Sequence, residues 1–228
     1  MDGTDRRGKR EEFLAAALRL FSEKGYEKTT VNDILHHVGA SKGAFYHYFE
    51  SKEDVVETLA EEYVETFAQL AESICDQPDI NALEKFNRCV SRVQAFKKSE
   101  TRGAAELRSA LRRDANLMLR QRIVKRARAR IAPLYRRIFA EGVREGLFRI
   151  CNLDELPELL LVVVYELSTS IDELYVSCCG ENTAGTEEFL RKLEPKLFFY
   201  EDAINRLLGL TEGSVQLREA YRQRFTNA

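Results

Sequence analysis

Apolar positions recur along most of this chain at intervals of three and four residues, the spacing of one face of an α-helix. Glu11 to Lys24 carries Phe13, Leu14, Ala17, Leu18, Leu20 and Phe21 as one wide stripe, and Gly25 follows where a helix would end. From Thr30 the pattern shortens. Thr30 and Asp33 have capping-box spacing, Ile34, Leu35 and Val38 form one apolar face, and Gly39 stops it. Ser41 then caps a second short helix reaching about Phe49. Ser51, with Asp54 three residues on, caps a long one to about Cys75, with Val55, Leu59, Tyr63, Phe67, Leu70 and Ile74 at helical spacing. Gln77-Pro78 ends it, because proline biases its predecessor away from the helix.

Beyond Pro78 the helical period continues. It predicts a helix over Ile80 to Lys98 and two over Gly103 to Gly146, broken near Asp114 to Asn116 and kinked at Pro133. Leu153 to Cys179 follows, with Asp154 as cap and Pro157 in the tolerated first turn. A polar turn over Gly180 to Gly185 leads to Glu187 to Leu208, helical despite Pro195, and to a short tail helix within Gly209 to Ala228. The sum is about nine or ten helices and no strand, an all-α chain.

Composition agrees with a packed fold: 228 residues, 44% hydrophobic and 32% charged, with only 4 prolines and 12 glycines. The longest apolar run, Leu159 to Tyr165, is far too short to span a bilayer, and Met1 to Glu12 is polar. A cytoplasmic protein with no membrane partner is expected. Five cysteines (Cys75, Cys89, Cys151, Cys178, Cys179) lack metal-ligand spacing, so no metal and no cofactor are predicted. The net charge of −2 excludes a bulk polycation but leaves room for a local basic surface. Arg6, Arg7, Lys9 and Arg10 end a loose arm over Met1 to Arg10, which either touches DNA phosphates or is a solvated tail.

A helix, a tight turn with glycine and a second short helix make Thr30 to Lys52, TVNDILHHVGASKGAFYHYFESK, a helix-turn-helix. In the second helix Gly43 and Ala44 permit close backbone approach to a major groove, and Lys42 reaches a base acceptor or a phosphate. Thr30, Ser41 and Lys52 sit at helix starts, where hydroxyl, ammonium and free N–H groups also suit a phosphate. His36 and His37 point in different directions and do not form a metal pair.

This stretch resembles the N-terminal DNA-binding domain of TetR-family bacterial transcription regulators. SKGAFYHYFESKEDVV carries the likeness most clearly, and it extends over about Arg10 to Val56. Leu35, Val38, Ala40 and Ala44 depart from the usual family residues, and Ala44 bears on base reading. The resemblance implies that Tyr46 and His47 also face DNA, while Phe45 and Phe49 are core. It implies a helix-turn-helix domain over residues 1–52, a connecting helix over 53–77 and an effector-binding and dimerising domain over 78–228. Its partners would be a palindromic double-stranded operator, a second copy of the chain and an unknown small-molecule effector, and its activity repression without catalysis. Candidate pocket residues are Phe86, Val90, Met118, Tyr135, Phe139 and Tyr165, with Ser168 and Asp172 as polar anchors. All eight also suit plain core.

Two features stay open. Ten cations between Arg112 and Arg137 face a single acid, Asp114. They suit a solvated face paired with Asp154 to Glu158 and Glu181 to Glu188, an anionic effector, or added attraction for DNA. Cys178-Cys179 suits either a thiol sensor or two small apolar residues at a helix end. The competing class is a helical adaptor or enzyme without DNA activity. Against an enzyme, all three histidines fall inside the helix-turn-helix, leaving no general-base candidate in the larger part.

Overall fold

The computed structural model describes residues 3–98, 110, 116–179 and 185–225, with the backbone alone for 3–7. Among these residues there are ten helices and no strand, the all-α architecture the periodicity predicts. They are α1 Gly3–Lys24, α2 Val31–Val38, α3 Lys42–Tyr46, α4 Lys52–Cys75, α5 Ala82–Lys98, α6 Leu117–Arg130, α7 Ala132–Arg144, α8 Glu155–Cys179, α9 Thr186–Leu208 and α10 Leu217–Phe225. The described residues fall into two compact units. One holds residues 3–63, 110 and 116–126, the other 64–98, 127–179 and 185–225.

In the first unit, α1 is helical from Gly3, where the sequence suggested a loose arm. Two ion pairs hold its first turns. Lys9 meets Glu12 at 2.7 Å, and Arg10 meets Glu62 at 2.6 Å with its guanidinium over the Phe49 ring. The Arg6 and Arg7 side chains lie outside the described residues. Phe13 packs edge-on to Phe45 at 5.5 Å and to Phe49 at 6.4 Å, the offset geometry that aromatic quadrupoles favour. Val55, Val56 and Leu59 of α4 are also buried. The buried Asn116 closes this unit: its Oδ1 accepts the Tyr26 N–H, and its Nδ2 donates to the Phe21 and Ala110 carbonyls. The Tyr26 N–H lies just past the end of α1, and the Phe21 carbonyl accepts the Gly25 N–H as well.

The second unit is built on α5, α7, α8, α9 and α10 around Phe86, Ile138, Phe139, Leu167, Ile171, Leu193, Leu197 and Tyr221. Two expectations are corrected here. The chain breaks at Ile131, and Pro133 lies in the first turn of α7 instead of kinking a continuing helix. There its missing N–H costs nothing, since that donor has no intrahelical acceptor. At the start of α8 the capping side chain is Asn152, which accepts the Asp154 and Glu155 N–H groups, while the Asp154 carboxylate pairs with Arg136. Pro195 sits inside α9, which continues through it as expected.

Lys85 reaches Glu141 at 2.6 Å and joins α5 to α7. The terminal helix α10 is tied at three places. Asn87 bonds the Ser214 carbonyl and the Gln216 N–H, Arg218 pairs with Glu201, and Arg224 pairs with Asp172. No described helix is long and apolar enough to cross a membrane. The segments over 103–109, 111–115 and 180–184 lie outside the described residues.

Candidate functional site

The helix-turn-helix is fixed by its caps. Thr30 Oγ1 accepts the Asp33 N–H, and the Asp33 carboxylate accepts the Thr30 N–H, closing a reciprocal capping box. Gly39 ends α2 in the left-handed conformation at φ 67°. Ser41 Oγ accepts the Ala44 N–H at the start of α3, and Ser51 Oγ accepts the Asp54 N–H at the start of α4. Lys24 lies 2.8 Å from Asp33. That ammonium, with the Thr30 N–H and hydroxyl, holds the Asp33 carboxyl well below the usual range.

Capping sets which side of α3 faces inward. Phe45 is 0% exposed and Phe49 2%, whereas Tyr46 is 56% exposed and Lys42, Gly43 and His47 are exposed beside it. Ala44 is half-buried, and the His47 ring leans edge-on against Tyr48 at 4.9 Å. Thr30 and Ser41 are exposed at their helix starts. Lys52 is placed differently: its ammonium donates to the Tyr26 carbonyl at 2.9 Å and sits 3.9 Å above the Tyr26 ring. The Tyr26 hydroxyl donates to Glu53, which with burial raises the phenol and holds the Glu53 carboxyl below its ordinary value. Lys42, Gly43, Tyr46 and His47 thus form a polar-aromatic ridge with a buried aromatic base. His36 and His37 are exposed on the last turn of α2.

The second unit contains a partly open cavity of about 50 Å³ lined by Phe86, Val90, Val93, Gln94, Tyr135, Leu160, Leu161, Val164, Ile204, Leu217 and Tyr221. Phe86, Val90 and Tyr135 were sequence candidates. Phe139 stands behind them, 5.7 Å from the Phe86 ring and 6.0 Å from the Tyr135 ring. Ser168 reaches the cavity wall by its 3.0 Å bond to the Tyr221 hydroxyl, and Asp172 is engaged by Arg224. The Tyr165 hydroxyl is buried, and Met118 belongs to the first unit. Sequence reasoning missed the other eight, Val93, Gln94, Leu160, Leu161, Val164, Ile204, Leu217 and Tyr221. Gln94 interrupts the stripe Phe86, Val90, Val93 at helical spacing, and a polar residue inside an apolar stripe was the available signal. Leu217 and Tyr221, four apart in the tail, give α10 an apolar face.

Residues 13–59 match the model of the bacterial regulatory proteins of the tetR family. That match covers the N-terminal segment of the chain, the helix-turn-helix and its neighbours, and not the larger second unit. The transcriptional repressor Rv1474c of Mycobacterium tuberculosis is 27% identical over 72% of this chain and 92% of its own length. Three Bacillus subtilis regulators match over 54 to 81 residues at 33% to 43% identity, and the chain spans only 28% to 39% of their length. A TetR-family regulator from Syntrophomonas wolfei shares the fold with a TM-score of 0.63 at 22% identity, over 91% of this chain and 98% of that one. The regulator FadR of Bacillus subtilis, in complex with stearoyl-CoA, does so with a TM-score of 0.58 at 22% identity, over 70% and 85%.

The arginine-rich stretch pairs mostly with α4. Arg122 and Arg126 meet Glu57 at 2.7 and 3.5 Å, and Arg126 also meets Glu61 at 3.4 Å. Within the second unit Arg130 joins Glu65 at 3.0 Å and Glu72 at 2.7 Å, and Arg137 joins Asp76 at 2.8 Å. The Arg130 guanidinium holds Glu65 below the usual carboxylate range. Of the expected partners, Asp154 meets Arg136 and Glu158 meets Arg128 at 3.7 Å. Glu188 pairs with Lys192 instead, and 181–184 lie outside the described residues. Pairs this exposed are screened by water and add little to stability. They occupy the run with structural partners, whereas Arg112 and Arg113 lie outside the described residues. Cys179 is buried and Cys178 half-buried at the end of α8.

Proposed function

We propose that this chain is a ligand-responsive transcriptional repressor and not an enzyme, acting in the cytoplasm and binding a palindromic operator as a homodimer. Residues 1–52 serve as the DNA-binding domain, 53–77 as the connecting helix and 78–228 as the effector-binding and dimerising part. Lys42, Gly43, Ala44, Tyr46 and His47 enter the major groove, with Thr30, Ser41 and Lys52 toward the flanking phosphates. The observation that carries this reading is the ridge on α3. A large aromatic, Tyr46, stands 56% exposed next to Gly43, whose replacement by alanine would meet nothing nearer than Ser41 Oγ at 3.9 Å. Neither the exposed ring nor the bare glycine is required by the fold; both suit a backbone that must come close to a groove about 12 Å wide.

Dimerisation is supported by apolar residues exposed on α8 and α9: Leu159, Tyr175 and Val176 on the first, Phe198, Phe199 and Leu207 on the second, with Phe199 67% exposed. A twofold pair would set two recognition helices about 34 Å apart, one turn of the duplex. Gel retardation on the DNA flanking its own gene, titrated with salt, tests the reading. The expected result is a palindromic site whose affinity falls steeply with salt and is lost in Tyr46→Ala and Lys42→Ala. Unchanged affinity in both variants would sink the assignment of this face.

A further inference from the structure

The cavity of the second unit has no charged side chain in its lining. Eight of its eleven lining residues are Phe, Val, Leu or Ile, and the polar groups are the amide of Gln94 and the phenols of Tyr135 and Tyr221. One of these, the Tyr221 phenol, is engaged by protein groups. The Tyr221 hydroxyl meets Ser168 Oγ at 3.0 Å and hydrogen-bonds the Gln94 side chain, and Lys97 donates to Ser168 Oγ at 2.9 Å. Lys97 bonds Ser168 and is not among the lining residues.

Gln94 is 2% exposed, and its Oε1 accepts no hydrogen bond from any described protein group. A buried carbonyl oxygen left so is costly to the fold. Gln94 lines the cavity, so a donor seated there can relieve it. An anion cannot do this, because a carboxylate offers lone pairs to an oxygen that already has them, and no cation lines the wall to offset its desolvation.

We propose that this cavity takes an uncharged, apolar molecule, aromatic or short-chain, whose hydroxyl or N–H donates to Gln94 Oε1. This deepens the reading above, since it names the chemical class of the effector. Free space of 50 Å³ accommodates about four heavy atoms, taking about 10–15 Å³ for a water. The polar end therefore seats inside and the rest of the body lies toward the mouth. Phe86, Tyr135 and Tyr221 supply ring faces on which a flat body packs.

The test compares phenol, toluene and benzoate, which share a ring and differ in the one group that would meet Gln94. Each is titrated into the full chain without DNA, with binding read from the methyl resonances of Val90, Val93, Leu160 and Val164. Phenol is expected to bind about three- to tenfold tighter than toluene, the worth of one net hydrogen bond, and benzoate not detectably. Gln94→Met, which keeps the side-chain length and removes the acceptor, should equalise phenol and toluene. Equal binding of phenol and toluene to the parent chain overturns the proposal whether or not the variant folds. So does preference for benzoate, or no binding of any of the three. Whether phenol also releases operator DNA is measured separately. Failure there, with selective binding intact, would count against the ligand-responsive repressor and not against the cavity's selectivity.

Discussion

Gly43→Ala separates what the fold needs from what DNA needs. Gly43 lies in the first turn of α3 at an ordinary helical φ, exposed, with 3.9 Å to the nearest atom a new methyl would meet. Glycine in a helix is about 0.8–1.0 kcal/mol less favourable than alanine, chiefly because it surrenders more backbone freedom on folding. The variant should therefore be more stable by about 0.5–1 kcal/mol, or a Tm rise of about 1–4 °C for a chain of this size. The chain has no tryptophan, so the melt is best followed by circular dichroism of its helices. On DNA the sign reverses. In the proposed dimeric complex the methyl would project toward the groove floor in both half-sites, and even 1.4 kcal/mol lost over the dimer would be tenfold in affinity. Fluorescence anisotropy with a labelled operator should show a loss of about tenfold or more. A variant that is less stable would refute the claim that the fold has room there. One that binds operator as tightly as the parent would refute close backbone approach by α3.

Three further outcomes follow from the packing. Gly209 ends α9 at φ 67°, and an added Cβ would lie 2.6 Å from Arg149 Cβ and 3.0 Å from its carbonyl oxygen, so Gly209→Ala should cost more than about 2 kcal/mol in urea denaturation. The Asp33 carboxyl is held low by Lys24 and Thr30. A group whose folded pKa is lowered stabilises fully above its unfolded value of about 4 and loses that contribution as pH falls, so acid melts of Asp33→Asn should lack part of the parent's decline below about pH 4. Burial pushes the Cys89 thiol up to about 12 and raises Cys75. With about one thiolate in ten thousand at pH 8, Cys89 should resist a disulfide reagent in the native state, while the exposed Cys151 is modified first, as mass mapping would show.

The sequence was most legible where structure is set within four residues. The caps of Thr30 with Asp33, Ser41 with Ala44 and Ser51 with Asp54 are each local chemistry, and the glycine at 39 adopts the backbone a helix stop requires. Distant partners were harder. The arginines at 122, 126 and 130 repeat every four residues, as do Glu57, Glu61 and Glu65, but periodicity alone does not say that two such stripes meet across roughly 65 positions of chain. Short-range competition also misled. Asp154 and Asn152 both suit a cap, and the asparagine takes the role because Arg136 claims the aspartate. The cavity was legible only on its α5 and α7 sides, since the contribution of Leu217 and Tyr221 depends on where a short tail helix comes to rest.

The clasp made by Asn116 bears on how such regulators can be recombined. It supplies the acceptor for the Tyr26 N–H and the donors for the Phe21 and Ala110 carbonyls, from a position 90 residues downstream of Tyr26 in the chain. Arg122 and Arg126 reach Glu57 from the same downstream stretch. A chimaera made by grafting residues 3–63 onto another sensor would therefore leave a seam. Its grafted part would carry the buried Tyr26 N–H without its acceptor and the Phe21 carbonyl without one of its two donors. A clean exchange of DNA specificity has to carry Ala110, Asn116 and the first turns of α6 along with the helix-turn-helix, or confine itself to the exposed ridge of α3.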